Sequence, residues 1–423
     1  MKDNRKRSRM AWVMWLLLIV PYMFNTFHAQ AMGVIRQSLM TEFSLSENSF
    51  VLLTNMFSYA YMVMQIPAGV LLDKFGAKRI SVVGALVCAL GTGLFSLGQS
   101  YGVLLAARIL IGLGCSVSFL SVLKISSNWF DDRLFCTMSG VTCFVGMMGA
   151  VAAQAPMAAL AEIWPWQTIY RALFLFILFV TVLIFLFVRD TPEELGYDPP
   201  HASAADTEKG FRTIPAVTAV LKNRYTWAPF LSYGCFYGTY VLIAGIYGPD
   251  MFRSFYDVSA VRAASVISFA ALGCAVGSVI VDLIADRMQL RRLPHLLFGG
   301  LYLALWVLLY VFLGKGPFGI FYPLIFLLGT ASTAYAVCWS AVKEVNDPRT
   351  VGISTAVANM GGYLGSIAVP TAAGYMYSFG SRSGESGAYR SMLLCGILLT
   401  AAGLAAAGFI KETHGKNIYR TER

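Results

Sequence analysis

The chain has 423 residues, of which 57% are hydrophobic and only 13% charged. With a mean hydropathy of +0.65 it is too apolar for a soluble domain, so its solvent is lipid. The formal charge of +10 on so apolar a chain points to membrane topology and anionic lipid and excludes a nucleic-acid footprint as its explanation.

Apolar runs of roughly 20 residues recur from end to end, and each covers a hydrocarbon core of about 30 Å at about 1.5 Å per residue. They predict about twelve helices, at 11–35, 48–72, 79–98, 102–127, 134–160, 167–189, 225–249, 259–285, 293–313, 317–342, 349–378 and 388–411. The first run, from Met10, is too long for the apolar region of a secretory signal and lacks a small-residue cleavage site, so it is expected to be retained. Within it Tyr22, Asn25 and His28 recur every three residues and are expected to share a face.

The second run ends in "MQIPAGVLLDKFGAKR", where apolar sequence gives way to Asp73, Lys74, Lys78 and Arg79, with Gly69 and Gly76 bracketing the acid. Ala68 and Gly69 lack bulk and are expected to let helix 2 approach a neighbour. Asp73 is expected to meet a helix N-terminus, whose partial positive charge favours a carboxylate. One such start is helix 11, where "NDPRTVGIST" offers Asn346 or Asp347 as cap and Pro348 as first helical residue.

Helix 4 carries Arg108 and Lys124 inside its apolar run, and helix 5 opens with "NWFDDRLF", capped by Asp131 or Asp132. From 190 to 224 the chain turns polar and rich in Pro, Ala, Asp and Glu, a linker that separates six helices from six. Helix 7 offers Tyr233, Tyr237 and Tyr240 on one stripe, and helix 10 offers Tyr335 and Trp339. Helix 8 ends in "VDLIADR", so that Asp286 and Arg287 repeat the Asp73–Lys74 pair and Asp282 stands where the first half has Gly69. A carboxylate inside an apolar run is costly unless paired or protonated; Asp282 is either a proton-sensitive gate or a bonded group near the interface. Helix 11 holds Asn359, Gly361, Gly362, Gly365 and Pro370, a composition expected to let it bend. The eight cysteines form no CxxC pair and read as packing residues.

With the N-terminus inside, about 23 of the Lys and Arg residues fall on cytoplasmic segments and about 7 on the other side, which places both termini in the cytoplasm. The expected organisation is therefore a bundle at 1–189, a cytoplasmic linker at 190–224, and a second bundle with a cytoplasmic tail at 225–423.

"GVLLDKFGAKR" resembles the loop signature of the major facilitator superfamily, and "ARILIGLG" is similar to its fourth-helix pattern. The resemblance spans essentially the whole chain. It implies an all-α membrane protein of twelve transmembrane helices in two pseudo-symmetric six-helix bundles, rocking about a cavity lined by helices 1, 4, 7 and 10. It further implies that Asp73 latches the halves on the cytoplasmic side and that Asp286 faces the start of helix 5. Gly69, Asp73, Lys74, Gly76, Arg79, Asp282, Asp286 and Arg287 are then the coupling and gating set. "YMVMQIPAGVLLDKFG", "WFDDRLFCTMSG" and the helix 11 stretch resemble bacterial uptake branches, the anion:cation symporters and phagosomal nutrient transporters, and so imply an inner-membrane location.

Candidate solute-binding residues are Tyr22, Asn25, His28, Arg108, Lys124, Tyr233, Tyr237, Tyr240, Tyr335, Trp339 and Asn359. Deep carboxylates are absent from the apolar spans, and an electropositive interior favours an organic anion or an amino acid held through its carboxylate. Histidine is the side chain type whose charge changes near neutral pH, so His28 is a candidate proton carrier for symport. "GMMGAVAAQAP" in helix 5 departs from the G-P-rich pattern of drug antiporters. Without a nucleophile motif, metal cluster or nucleotide loop the chain is not expected to be an enzyme or to hold a metal or cofactor. It is expected to act as a monomer on a small solute with a proton, in lipid, without nucleic acid. A uniporter, an exchanger or a solute sensor on the same fold are the alternatives.

Overall fold

The computed structural model describes residues 4–130, 132–197, 213–347 and 351–419. Every regular element among them is helical, as required where lipid offers backbone groups no partner. Eleven helical runs among the described residues are long and apolar enough to cross a membrane, and a further 30-residue helix precedes the last of them.

In chain order these are α1 (Asn4–Gln30), α2 (Glu47–Phe75), α3 (Ala77–Leu97) and α4 (Tyr101–Trp129). Next come α5 (Asp132–Ala152, continued by Ala155–Ile163) and α6 (Trp166–Phe187). After the linker follow α7 (Arg224–Tyr256), α8 (Ala260–Met288), α9 (Arg292–Phe312), α10 (Phe318–Val345), α11 (Val351–Gly380) and α12 (Glu385–Ala407). They follow the predicted runs in order. α1 starts earlier than its apolar run because backbone bonding continues into polar flanks where hydropathy has ended. Large apolar side chains stand exposed along the helices, among them Leu16, Val63, Leu90, Phe179, Leu283 and Leu398, an oily exterior that lipid covers.

The residues group into two compact units: Met1–Ala29, Tyr59–Ala150 and Leu160–Phe211 in the first, and Gln30–Ser58, Val151–Ala159 and Arg212–Arg423 in the second. The first unit is built on Trp15, Leu18 and Ile19 of α1 packed with Val122, Ile125 and Trp129 of α4 and Val180 and Ile184 of α6. Trp15 Nε1 donates to Thr142 Oγ1 at 2.9 Å, which satisfies the one polar atom that burying the indole would otherwise strand.

In the second unit α7 and α11 meet through glycines. A Cβ on Gly234 would press on Gly361 O, and one on Gly238 or Gly365 would collide with backbone of the facing helix. Small residues at such a seam let backbones approach, and dispersion contacts replace a hydrophobic drive that lipid does not supply. The glycines of α11 serve its packing in this conformation, in which α11 runs unbroken through Pro370. A Cβ on Gly69 meets nothing described within 4 Å, and its neighbour Ala68 is the buried residue of the pair.

Candidate functional site

Residues 233, 237 and 240 are spaced i, i+4, i+7, the interval that keeps side chains on one helix face. The structure realises that stripe and adds α10 and α11 to it. Tyr233 stacks on Tyr335 with ring centroids 4.8 Å apart and meets Trp339 edge-on at 5.7 Å. Tyr237 lies 5.8 Å from Tyr233, 6.3 Å from Tyr240 and 6.1 Å from Tyr363. The Tyr233 hydroxyl donates to Asn359 Oδ1 at 3.2 Å. Five predicted rings and Asn359 thus form one cluster, with Tyr363 as a member that sequence reasoning missed. Tyr233, Tyr240 and Tyr335 are buried, while Tyr237, Trp339, Asn359 and Tyr363 keep partial exposure.

The helix 1 trio behaves differently. Steps of three residues on a 3.6-residue helix drift around the axis, so the shared face expected for Tyr22, Asn25 and His28 is not realised. Tyr22 packs on Phe119, centroids 5.0 Å apart. Asn25 Nδ2 points to Tyr61 OH of α2 at 3.5 Å. His28, fully buried, is set against Thr92 of α3: the Thr92 hydroxyl donates to Cys88 O at 2.8 Å and so accepts from His28 Nε2 at 3.2 Å. Arg108 is 1% exposed and its Nη1 donates to His28 O at 2.9 Å. The two ionisable groups are packed together inside the first unit, whereas Lys124 is half-buried.

At the charged motif the side chain of Asp73 lies outside the described residues, as do Asp131 and Pro348; so does the Asp132 side chain. Lys74 and Arg79 are exposed. Gly76 adopts φ +84°, a left-handed conformation that suits glycine, and the Asp190 carboxylate sits where a Cβ would be. Asp190 Oδ1 accepts from Lys78 N at 2.7 Å, capping the start of α3, which Gly76 cannot do itself. The second half repeats this device. Glu412 accepts from Arg291 N at 2.8 Å and from Arg292 N at 3.0 Å at the start of α9. Burial alone would raise the Glu412 carboxyl, but its bonds from the Arg291, Arg292, His414 and Thr413 amides hold it below the usual range.

Asp286 accepts from Arg291 Nη1 at 2.8 Å, and Arg291 also binds Glu344, with Nη2 to Oε1 at 2.8 Å. Thr413 of the tail bonds Glu344 as well. Burial would lower the Arg291 guanidinium, yet these carboxylates lift it above its ordinary value. Asp282 and Arg287 are exposed on α8, and Asp282 makes no ion pair among the described residues.

Three polar assemblies were not foreseen. Arg36 of the short helix Arg36–Glu42 pairs with Glu47 and, at 2.9 Å, with Asp250, within reach of the Phe50, Tyr247 and Tyr377 rings. Burial opposes its charge, and the two carboxylates more than reverse that, holding Arg36 above its ordinary value. Asn55 Nδ2 donates to Thr371 Oγ1 at 3.0 Å. Gln154, at the break in α5, donates to Gln30 O at 3.2 Å and Ala244 O at 2.8 Å.

Long apolar helices, a ring-lined polar cluster and capped charged ends define a polytopic α-helical membrane protein. The chain belongs to the Major Facilitator Superfamily, whose family model matches residues 14–370. It is 27% identical to a hexuronate transporter of Bacillus subtilis (strain 168) over 52% of each chain, a match that spans about half of that relative. It is 21% identical to the probable galactarate/D-glucarate transporter GarP of Escherichia coli (strain K12) over 89% of this chain and 90% of that one. Among solved structures it resembles a bacterial homolog of the human lysosomal transporter Spinster in an inward-facing, unoccupied conformation, with TM-score 0.71 and 16% identity over 96% of this chain and 97% of the other. That likeness bears on the fold.

Proposed function

We propose that this protein carries a small organic acid of the sugar-acid type across the bacterial inner membrane, by proton-coupled symport and alternating access. The observation that carries the solute class is the near full-length similarity to a probable galactarate/D-glucarate transporter. The ring cluster of α7, α10 and α11 supplies an apolar wall with a few polar atoms, the composition of a solute site. Lys124, half-buried on α4, is the candidate holder of the carboxylate.

In this reading the halves 1–189 and 225–423 are the moving bodies, both termini and the linker are cytoplasmic, and the monomer is the working form. Asp73 is the cytoplasmic latch, and His28 takes the coupling proton. Reconstitution in proteoliposomes tests this. Uptake of labelled glucarate or galacturonate should rise with an inward pH gradient and fall in Lys124→Ala and in Trp339→Ala. Asp73→Asn should bind solute yet carry it slowly. Strong competition by an uncharged sugar, or no response to the gradient, would sink the anion or the proton half of the reading respectively.

A further inference from the structure

Three interruptions in helical geometry meet at one amide. α1 ends at Gln30 and passes into the 3-10 turn Ala31–Gly33, α5 breaks before Ala155, and α7 contains a π-helical segment at Leu242–Tyr247. Gly33 lets the first approach the last, since a Cβ there would sit 3.1 Å from both Gly245 O and Ile246 O. Gln154, fully buried, gives both amide hydrogens to this junction, one to Gln30 O and one to Ala244 O. Those donations settle its orientation: flipping the amide would set its oxygen against two carbonyl oxygens. Gln154 Oε1 is therefore an acceptor, and among the described residues it has no donor. Gln30, 5% exposed, bonds Tyr240 OH at 3.0 Å, a contact that either atom of its amide can make, and the other atom of that amide is without a partner among the described residues.

Two buried polar atoms without partners are costly, at about 1–3 kcal/mol each, and interrupted membrane helices are where transporter folds place solute and ion sites. What satisfies the Gln154 oxygen must bring a hydrogen-bond donor. A carboxylate brings none. A hard cation needs about six oxygens, and at this junction Gln30 O and Ala244 O are already taken by Gln154 Nε2. An ammonium would arrive without a counter-charge from the protein, because the acids Glu47 and Asp250 of the same unit are engaged by Arg36. A hydroxyl meets the requirement, whether of a water or of a solute that displaces it, and Tyr240 connects the junction to the ring cluster through Tyr237.

We infer that Gln154 and Gln30 read hydroxyl groups of the solute, so that the protein selects polyhydroxylated acids over plain carboxylates of equal length and charge. This rests on the organic-acid reading above. Glucarate and adipate, six-carbon diacids that differ in their hydroxyls, are the probes, with binding to the purified full chain followed by thermal shift and by competition for uptake. The parent protein should favour glucarate by about tenfold or more, the worth of one or two hydrogen bonds, and Gln154→Leu should bring that preference to within about threefold. Gln30→Leu, which removes a single side-chain bond, should do the same and serves if Gln154→Leu fails to fold. Equal affinity of the parent for both diacids would overturn the inference and widen the solute class from sugar acids to organic acids, and a preference left unchanged in a folded variant would overturn it with the sugar-acid reading standing. Tighter binding of amino acids than of glucarate would overturn it in favour of an ammonium. Failure of the parent to bind glucarate, galacturonate or adipate would bring down both.

Discussion

Two arginines in the second unit each hold two acids, and their surroundings differ. Arg36 and Arg291 have equally buried side chains, at 7% exposure, but the acids of Arg36 are 8% and 12% exposed whereas Asp286, one partner of Arg291, is 67% exposed. The Arg36 cluster draws Glu47 from 11 residues away and Asp250 from 214 residues away, and three aromatic rings close over it. The Arg291 cluster draws on α8, α10 and the tail, all late in the chain. A buried pair stabilises little in itself but is expensive to break, so the same chemistry should be costly to disturb at Arg36 and more forgiving at Arg291.

The largest effect expected is for Arg36→Ala, which strands two buried carboxylates and should cost about 3–5 kcal/mol in denaturation of the detergent-solubilised protein. Arg36→Lys should restore only part, because an ammonium cannot reproduce the guanidinium fork. Arg291→Ala should cost about 2–3 kcal/mol, since one of its acids can turn to water. Equal losses at the two sites would break the comparison.

The helix caps sharpen it at smaller scale. Glu412→Ala and Asp190→Ala each remove a cap and should cost about 1 kcal/mol. Because Glu412 is held below the usual carboxylate range, its contribution is complete above that range and is lost as pH falls through the lowered value. Glu412→Gln should therefore flatten the acid limb of the stability profile, and an unchanged limb would remove this group from the account. The smallest effect, below about 1 kcal/mol, is expected for Asp286→Asn, an exposed half of a pair.

Some of this was open to reading in the amino-acid string. The stripe Tyr233, Tyr237, Tyr240 was legible because its spacing matches the helical repeat, and the trio in α1 misled because steps of three do not. The cap motif is written twice, as "VRDT" at Val188–Thr191 after α6 and "IKET" at Ile410–Thr413 after α12, a basic residue followed by an acid and a threonine. That repeat is visible once the halves are aligned at their sixth helices instead of their second. Gln154 gave no local signal, since a glutamine in an apolar run is unremarkable until the breaks in α1, α5 and α7 are brought together.

Composition and periodicity alone determined that this is a bundle of membrane-crossing helices, because apolar length and backbone satisfaction are local properties that each segment meets by itself. Which faces meet, which acids Arg36 and Arg291 hold, and where a buried oxygen lacks a donor were decided only by the tertiary structure. Those are relations between segments far apart in the chain, set by which glycines, rings and helix breaks come into register, and no local pattern encodes them.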